Sequence, residues 1–346
     1  MSTAAPRIRF RDAQIEMAHG AGGKASRRLV EGLFAPLLFG ERREPLGDAA
    51  HVTLNGSKLA ITTDSFVVKP LCFPGGSIGE LAVNGTVNDL AVSGAQAESL
   101  VVTFVLEAGL PTEVLEAEVR AMAHAAKEAG VSIVGGDTKV VEHGKADRMY
   151  ITTAGIGRPI PGLALSAQSV RPGDKVLLSG PIGDHGITIL LARGELDLEA
   201  EICSDTRSVL PLIEAMAAAA APGVRWMRDP TRGGLATSLN ELARDCGLCV
   251  ALIEERVPVR DAVRGACELL GLDPLHIANE GQFVAIVAPE FAEPALSAVR
   301  ALPEGSECAL IGEIREQPPG TVLGTRGYGG TRVIDMLVGD PLPRIC

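Results

Sequence analysis

Aromatic side chains are scarce in this 346-residue chain: Phe, Tyr and Trp together make up 3%. A core therefore has to be built from Ala, Val, Leu and Ile, within a hydrophobic content of 46%. Long apolar runs are lacking too. The Ala-rich stretch at 215–222 is stopped by Pro222 and Gly223, short of a bilayer span. Positive charge is in deficit, with 32 Lys and Arg against 43 Asp and Glu and a net charge of −11. That balance argues against a nucleic-acid or anionic-membrane surface. The opening "MSTAAPRIRFRD" lacks an apolar signal core, so the expected compartment is the cytoplasm. Seven scattered cysteines, an odd number, do not form a disulfide framework. The "CGLC" of Cys246 and Cys249 closes a helix instead of opening one, which points to packing and not to redox or zinc chemistry.

The length is enough for two domains with sizeable cores. A Gly-rich segment and a Leu-rich helix occupy 1–45. Strand and helix patterns then alternate over 46–158, including a helix in "SIGELAVNGTVNDLAVSGA" and another in "PTEVLEAEVRAMAHAAKEAG". Residues 159–173, with three prolines and no strong period, read as a linker. A second alternating region spans 174–319, and 320–346 reads as an arm. That arm has one strand-like run, "TRVIDMLVG", and is stiffened near its end by Pro341 and Pro343. The pattern predicts two α/β or α+β halves.

Three aspartates lie at the ends of apolar stretches among small polar residues: Asp64 in "ITTD", Asp89 on the first long helix, and Asp137 after "VSIVGG". Glu80, Asn84 and Asn88 recur at helical spacing, so an amide-and-acid stripe runs along an otherwise apolar helix. Carboxylates converging in apolar surroundings need a divalent cation, and Mg²⁺ with nucleotide phosphates suits them. "HGAGGKAS" offers backbone N–H groups and a lysine for phosphate, although it is neither a Walker A loop nor a dinucleotide fingerprint. "RDPTRGGLA" turns a strand into a helix whose N-terminus can hold an anion. "NEGQF" puts Glu280 at the mouth of an apolar strand, where it is either a base with a raised pKa or a turn cap.

The ordered set "HGAGGKAS", "TTDS", "NGTVNDLAVSGA", "VGGDTKVV", "DPTRGGLA", "NEGQF" and a final "PRIC" resembles the HypE family of hydrogenase maturation proteins. That family sits within the superfamily of aminoimidazole ribonucleotide synthetase and selenophosphate synthetase. The resemblance runs from the Gly-rich segment to the last residue. It implies an α+β, PurM-like architecture: an N-terminal ATP-binding domain forming a dimeric β-barrel, a C-terminal α/β domain and a flexible C-terminal arm. It further implies that Cys346 accepts a carbamoyl group from a HypF-type carbamoyltransferase. ATP would then drive dehydration of the S-carboxamide to a thiocyanate, and the cyano group would pass to iron on a HypC–HypD scaffold. Carried over by motif, Cys346, Lys139 and Glu280 are the expected catalytic residues. Gly22, Gly23, Lys24, Asp64, Asn84, Asp89, Asp137 and Thr138 are expected at ATP. Asp64, Asp89, Asp137 and Asp229 are expected to hold Mg²⁺, and His143 is a weaker candidate.

Two rivals follow. A sister enzyme could act on a small molecule, but a selenophosphate synthetase needs a cysteine in the Gly-rich segment, and the first here is Cys72. A non-catalytic scaffold could present Cys346 to a metal or partner; it would show no Mg²⁺-dependent ATP hydrolysis.

Overall fold

The computed structural model describes residues 9–39, 46–194, 200–327, 329–339, 342 and 344–346. Pro341 and Pro343, expected to stiffen the arm, lie outside the described residues. Near the start, α1 (Lys24–Leu29) runs through a π-type turn into α2 (Ala35–Leu38).

The first half is a five-stranded sheet with two helices on one face. Its strands are β1 (Ala50–Leu54), β2 (Ser57–Phe66), β5 (Ala95–Glu107), β6 (Ser132–Val141) and β7 (Met149–Pro159), in the order β1-β2-β7-β5-β6. A short hairpin, β3 (Cys72–Phe73) and β4 (Gly76–Ser77), leads into α3 (Ile78–Val92). Next comes α4 (Thr112–Glu128). Thirteen of the fifteen residues of α3 are buried. An all-round apolar helix belongs between layers, and α3 packs on β2, β5 and β7 as well as on α4. The other face of the sheet is bare, and Val52, Ile61, Val101 and Ile156 are exposed. Edge strand β6 is exposed along nearly its whole length.

The second half is a seven-stranded sheet. Its strands are β8 (Lys175–Leu178), β9 (Val224–Arg228), β10 (Cys249–Ile253), β11 (Val284–Val287), β12 (Ala309–Arg315), β13 (Thr321–Thr325) and β14 (Thr331–Ile334), ordered β14-β13-β10-β12-β8-β11-β9. Its helices are α5 (Asp184–Ala192), α6 (Leu210–Ala220), α7 (Gly234–Cys246), α8 (Asp261–Leu270) and α9 (Pro289–Arg300). Helices and strands alternate along the chain as expected, but only β10 and β13 pair in parallel. The expected α/β domain is therefore α+β, because neighbours in this sheet return antiparallel instead of crossing over.

The segment from Gly320, expected as an arm, begins instead as β13 and β14, which extend this sheet. One core cluster runs through both halves, from Leu90 of α3 to Ile213 and Met216 of α6, and a second fills the far face of the larger sheet. Cys249 is buried, and Cys246, half-buried at the end of α7, packs against the second cluster; neither is in a disulfide.

Candidate functional site

The site lies where the two halves meet. Helix α3 brings Asp89, β2 brings Asp64, and the turn after β9 brings Asp229. Asp48, in the loop before β1, joins them. Carboxylate oxygens of Asp48, Asp89 and Asp229 all lie within 4.8 Å of one another. Asp48 was not anticipated, although an acid between Gly47 and two alanines ahead of a strand was a readable signal.

So many acids in a buried place cannot all be ionised. Burial, then Asp229, Asp48 and Asp64, push Asp89 well above the usual carboxylate range. Burial and Asp48 raise Asp229 to about 8. Some relief comes from Arg228, whose Nε is 3.0 Å from Asp48 Oδ2 and whose Nη1 also pairs with Glu241. Thr62 donates to Asp89 Oδ2 at 2.8 Å. A set of hard oxygen donors with excess negative charge is the donor set Mg²⁺ takes.

Glu280 belongs to the same field. It is 4% exposed, and its Oε1 is buried with no hydrogen-bond partner among the described residues. Burial, then Asp64, Asp205 and Asp229, raise it well above its ordinary value, against the pull of Arg232. Asp205 fixes its backbone by accepting from Glu280 N at 3.0 Å and Gly281 N at 3.2 Å. Asn88 completes the seam. Its amide donates to the carbonyls of Arg207 and Glu280, and its oxygen accepts from Val209 N. Asn88 is thus a stitch between the halves, while Asn84, one turn earlier, is buried on the helix that carries Asp89.

The Gly-rich segment docks beside this cluster. A Cβ on Gly22 would lie 2.7 Å from the Arg232 carbonyl, and one on Gly23 2.4 Å from that of Leu337. Only glycine permits either approach. Lys24 is pinned through its N–H to Leu337 O at 2.9 Å and through Nζ to Asp335 at 2.5 Å.

Asp137, Thr138 and Lys139 are placed elsewhere. They sit on edge strand β6, separated from Asp64 by β7 and β5. Asp137 pairs with Lys139 at 2.7 Å and is held below its usual range by that bond. Within one chain they do not join the carboxylates. His143 is in an exposed turn beside Glu107.

Cys346 is half-buried and packs against the core. The residues before it are seated, which the expectation of a loosely packed arm did not foresee: Leu342 and Ile345 are 3% and 2% exposed. Arg344, at φ 61°, turns the chain inward and pairs with Asp147.

Comparison with known proteins gives this geometry a family. Residues 46–158 match the N-terminal domain, and 171–324 the C-terminal domain, of the AIR synthase related proteins. The carbamoyl dehydratase HypE of Azotobacter vinelandii is 50% identical over 98% of this chain and 99% of its own. A chain in the crystal structure of a HypE–HypF complex has 44% identity and a TM-score of 0.84, covering 89% of this chain and 99% of its own. HypE crystallised with ATP has 44% identity and a TM-score of 0.80, covering 95% and 99%. With near-complete coverage at this identity, the chain belongs to the HypE carbamoyl dehydratase family, in the PurM-like fold of the AIR synthase related proteins.

Proposed function

We propose that this chain uses ATP to dehydrate a carboxamide carried on its own Cys346 to a thiocyanate, supplying the cyanide ligand for the iron of an [NiFe]-hydrogenase. A HypF-type carbamoyltransferase is the donor, in line with the HypE–HypF complex. A HypC–HypD scaffold is the acceptor, and the cytoplasm the compartment. The observation that carries the reading is a shared loop. Ser204 bonds the histidine that holds the Cys346 end of the chain, and the next residue, Asp205, holds the backbone of Glu280.

An amide oxygen leaves poorly. Its attack on the γ-phosphorus of ATP releases ADP and converts it to a phosphate ester; two protons then leave nitrogen as the C–O bond breaks, giving C≡N and inorganic phosphate. Glu280, with a raised pKa and an unbonded oxygen, is suited to take a proton near neutrality. Asp48, Asp64, Asp89 and Asp229 would hold Mg²⁺, which supplies positive charge against the phosphates. Gly22, Gly23 and Lys24 would close on ATP beside Arg232, with Asn84 near the nucleotide.

Asp137, Thr138 and Lys139 enter through a second copy. The bare sheet face and the open β6 edge are covered when two chains close a barrel, and each chain's β6 then serves its partner's carboxylates. The half-exposed apolar residues Val52, Ile61, Val101 and Ile156 on that face support this reading. For transfer, the Cys346 arm swings out of its seat.

The test is intact mass. HypF is charged with carbamoyl phosphate and ATP, stripped of free nucleotide and only then mixed with the protein. Loss of one water only when ATP returns, and no adduct on Cys346→Ala, is the expected result. ATP consumption without an adduct would move the substrate from Cys346 to a small molecule.

A further inference from the structure

His185 is fully buried, and neither nitrogen of its ring is idle. Nε2 lies 2.6 Å from the carbonyl oxygen of Ile345, and Nδ1 lies 2.8 Å from Ser204 Oγ. A carbonyl only accepts, so the proton is on Nε2, and the Ser204 hydroxyl donates to Nδ1. Thr206 extends the chain, with Oγ1 3.0 Å from Ser204 Oγ. Phe73 meets the ring edge-on at 5.6 Å. A ring so fixed has one orientation, and it points at the residue before the thiol.

The neighbouring residues make room for the same strand end. A Cβ on Gly186 would lie 2.5 Å from Ile277 Cγ2 and 3.2 Å from Leu342 Cδ1, so the first turn of α5 is cut away where Leu342 seats. Arg193, at the other end of α5, donates from Nη2 to the Arg344 carbonyl at 2.8 Å and from Nε to Lys69 O at 3.1 Å. Lys69 N donates to the same Arg344 carbonyl at 3.3 Å. Two consecutive carbonyls, 344 and 345, are therefore held from one helix. These contacts grip backbone and do not touch the thiol.

We propose that His185 is a positioning residue for dehydration: with Arg193 it seats the Arg344 and Ile345 carbonyls and thereby sets where the carboxamide on Cys346 meets Glu280. This rests on Cys346 as the carrier. Because Ser204 precedes Asp205, which holds Glu280 N, one loop registers both the substrate arm and the base. Burial keeps His185 low, at about 4, so the imidazole stays neutral and its single N–H stays on the carbonyl at working pH.

The experiment uses the full-length chain and three variants: His185→Leu, His185→Gln and Arg193→Ala. Gln keeps a donor near the Nε2 position, Leu removes it, and Arg193 is at the rim, where Ala is tolerated. Site-resolved alkylation by iodoacetamide, with Cys246 as internal reference, reports seating without any catalysis. Losing one seating bond is expected to speed Cys346 labelling roughly tenfold in His185→Leu and Arg193→Ala. The dehydration kcat should drop by a similar factor with KM for ATP unchanged, and His185→Gln should recover most of both. Unchanged labelling in both His185→Leu and Arg193→Ala overturns the proposal. So does a His185→Gln variant that melts like wild type yet labels and turns over like His185→Leu. Dehydration surviving in Cys346→Ala would instead sink the carrier reading, and the labelling result would still stand apart from it.

Discussion

Asp89 and Asp229 come from different halves of the molecule, yet their carboxylate oxygens lie within 4.8 Å of each other. Two acids that close in a buried seam oppose one another until a cation or a proton intervenes. Asp229→Asn should therefore raise the metal-free melting midpoint, by about 2 °C, while cutting ATP-dependent dehydration roughly a hundredfold. Differential scanning fluorimetry and intact mass test the two halves of that statement. A lower midpoint would mean that the acids do not repel.

The pH dependence has a definite sign. Asp229 titrates at about 8 in the folded chain against an ordinary 3.8, with burial the main cause and Asp48 next. The folded state then binds the proton more tightly. Its contribution to stability is complete below about 4 and is lost as pH rises through about 8. Wild type should lose stability relative to Asp229→Asn across that window in urea titrations without divalent ions. A flat difference would place Asp229 among ordinary carboxylates. Binding of Mg²⁺ with ATP at neutral pH should release protons, seen as a calorimetric heat that varies with the buffer's ionisation enthalpy.

Glu280→Gln keeps size and polarity but cannot take a proton. It should still accept the carbamoyl group from HypF and still bind ATP. Dehydration should fall by roughly a hundredfold or more, and the rise of rate with pH expected of wild type should disappear. Stopped reactions followed by intact mass would show the carboxamide accumulating.

Composite sites can be tested by mixing. Lys139→Ala and Glu280→Gln should each be inactive alone, but subunit exchange should restore about a quarter of wild-type activity, since half the dimers are mixed and each has one intact site. Sedimentation of Ile156→Lys should show monomers with no dehydration. No recovery on mixing, with exchange verified by mass, would put Lys139 and Glu280 to work in the same chain.

Asp64 and Asp89 were legible because each lies near the end of an apolar stretch, where a wet surface residue is out of place, and Glu280 because it stands at the mouth of an apolar strand, whereas Asp229 came only with the resemblance; all four meet at one seam. Asp48 escaped because only its neighbours Gly47, Ala49 and Ala50 mark it, and no period does. "GGDTK" was legible as a motif, but its distance from Asp64 was not. That distance depends on strand order, and order is set by pairings between residues far apart in sequence. The tail misled for the same reason. A chain end with Pro341 and Pro343 just before Cys346 suggests a stiff arm held by little packing, whereas the contact that seats Ile345 comes from His185, 160 residues earlier. Likewise β13 is short and nearly featureless in sequence, and becomes a strand because β10 and β14 flank it.

Strand β6 presents Asp137 and Lys139 side by side, exposed, on an otherwise apolar edge that includes Val134 and Val140. An open edge of that kind invites unwanted pairing with any other extended chain, and fixed charges are what discourage it. The same two residues would then guard a newly made chain against aggregation before they ever serve a reaction. Variants at either position need their yield and dispersity measured alongside turnover, because a protein lost to aggregates and a protein lost to chemistry look alike in an activity assay.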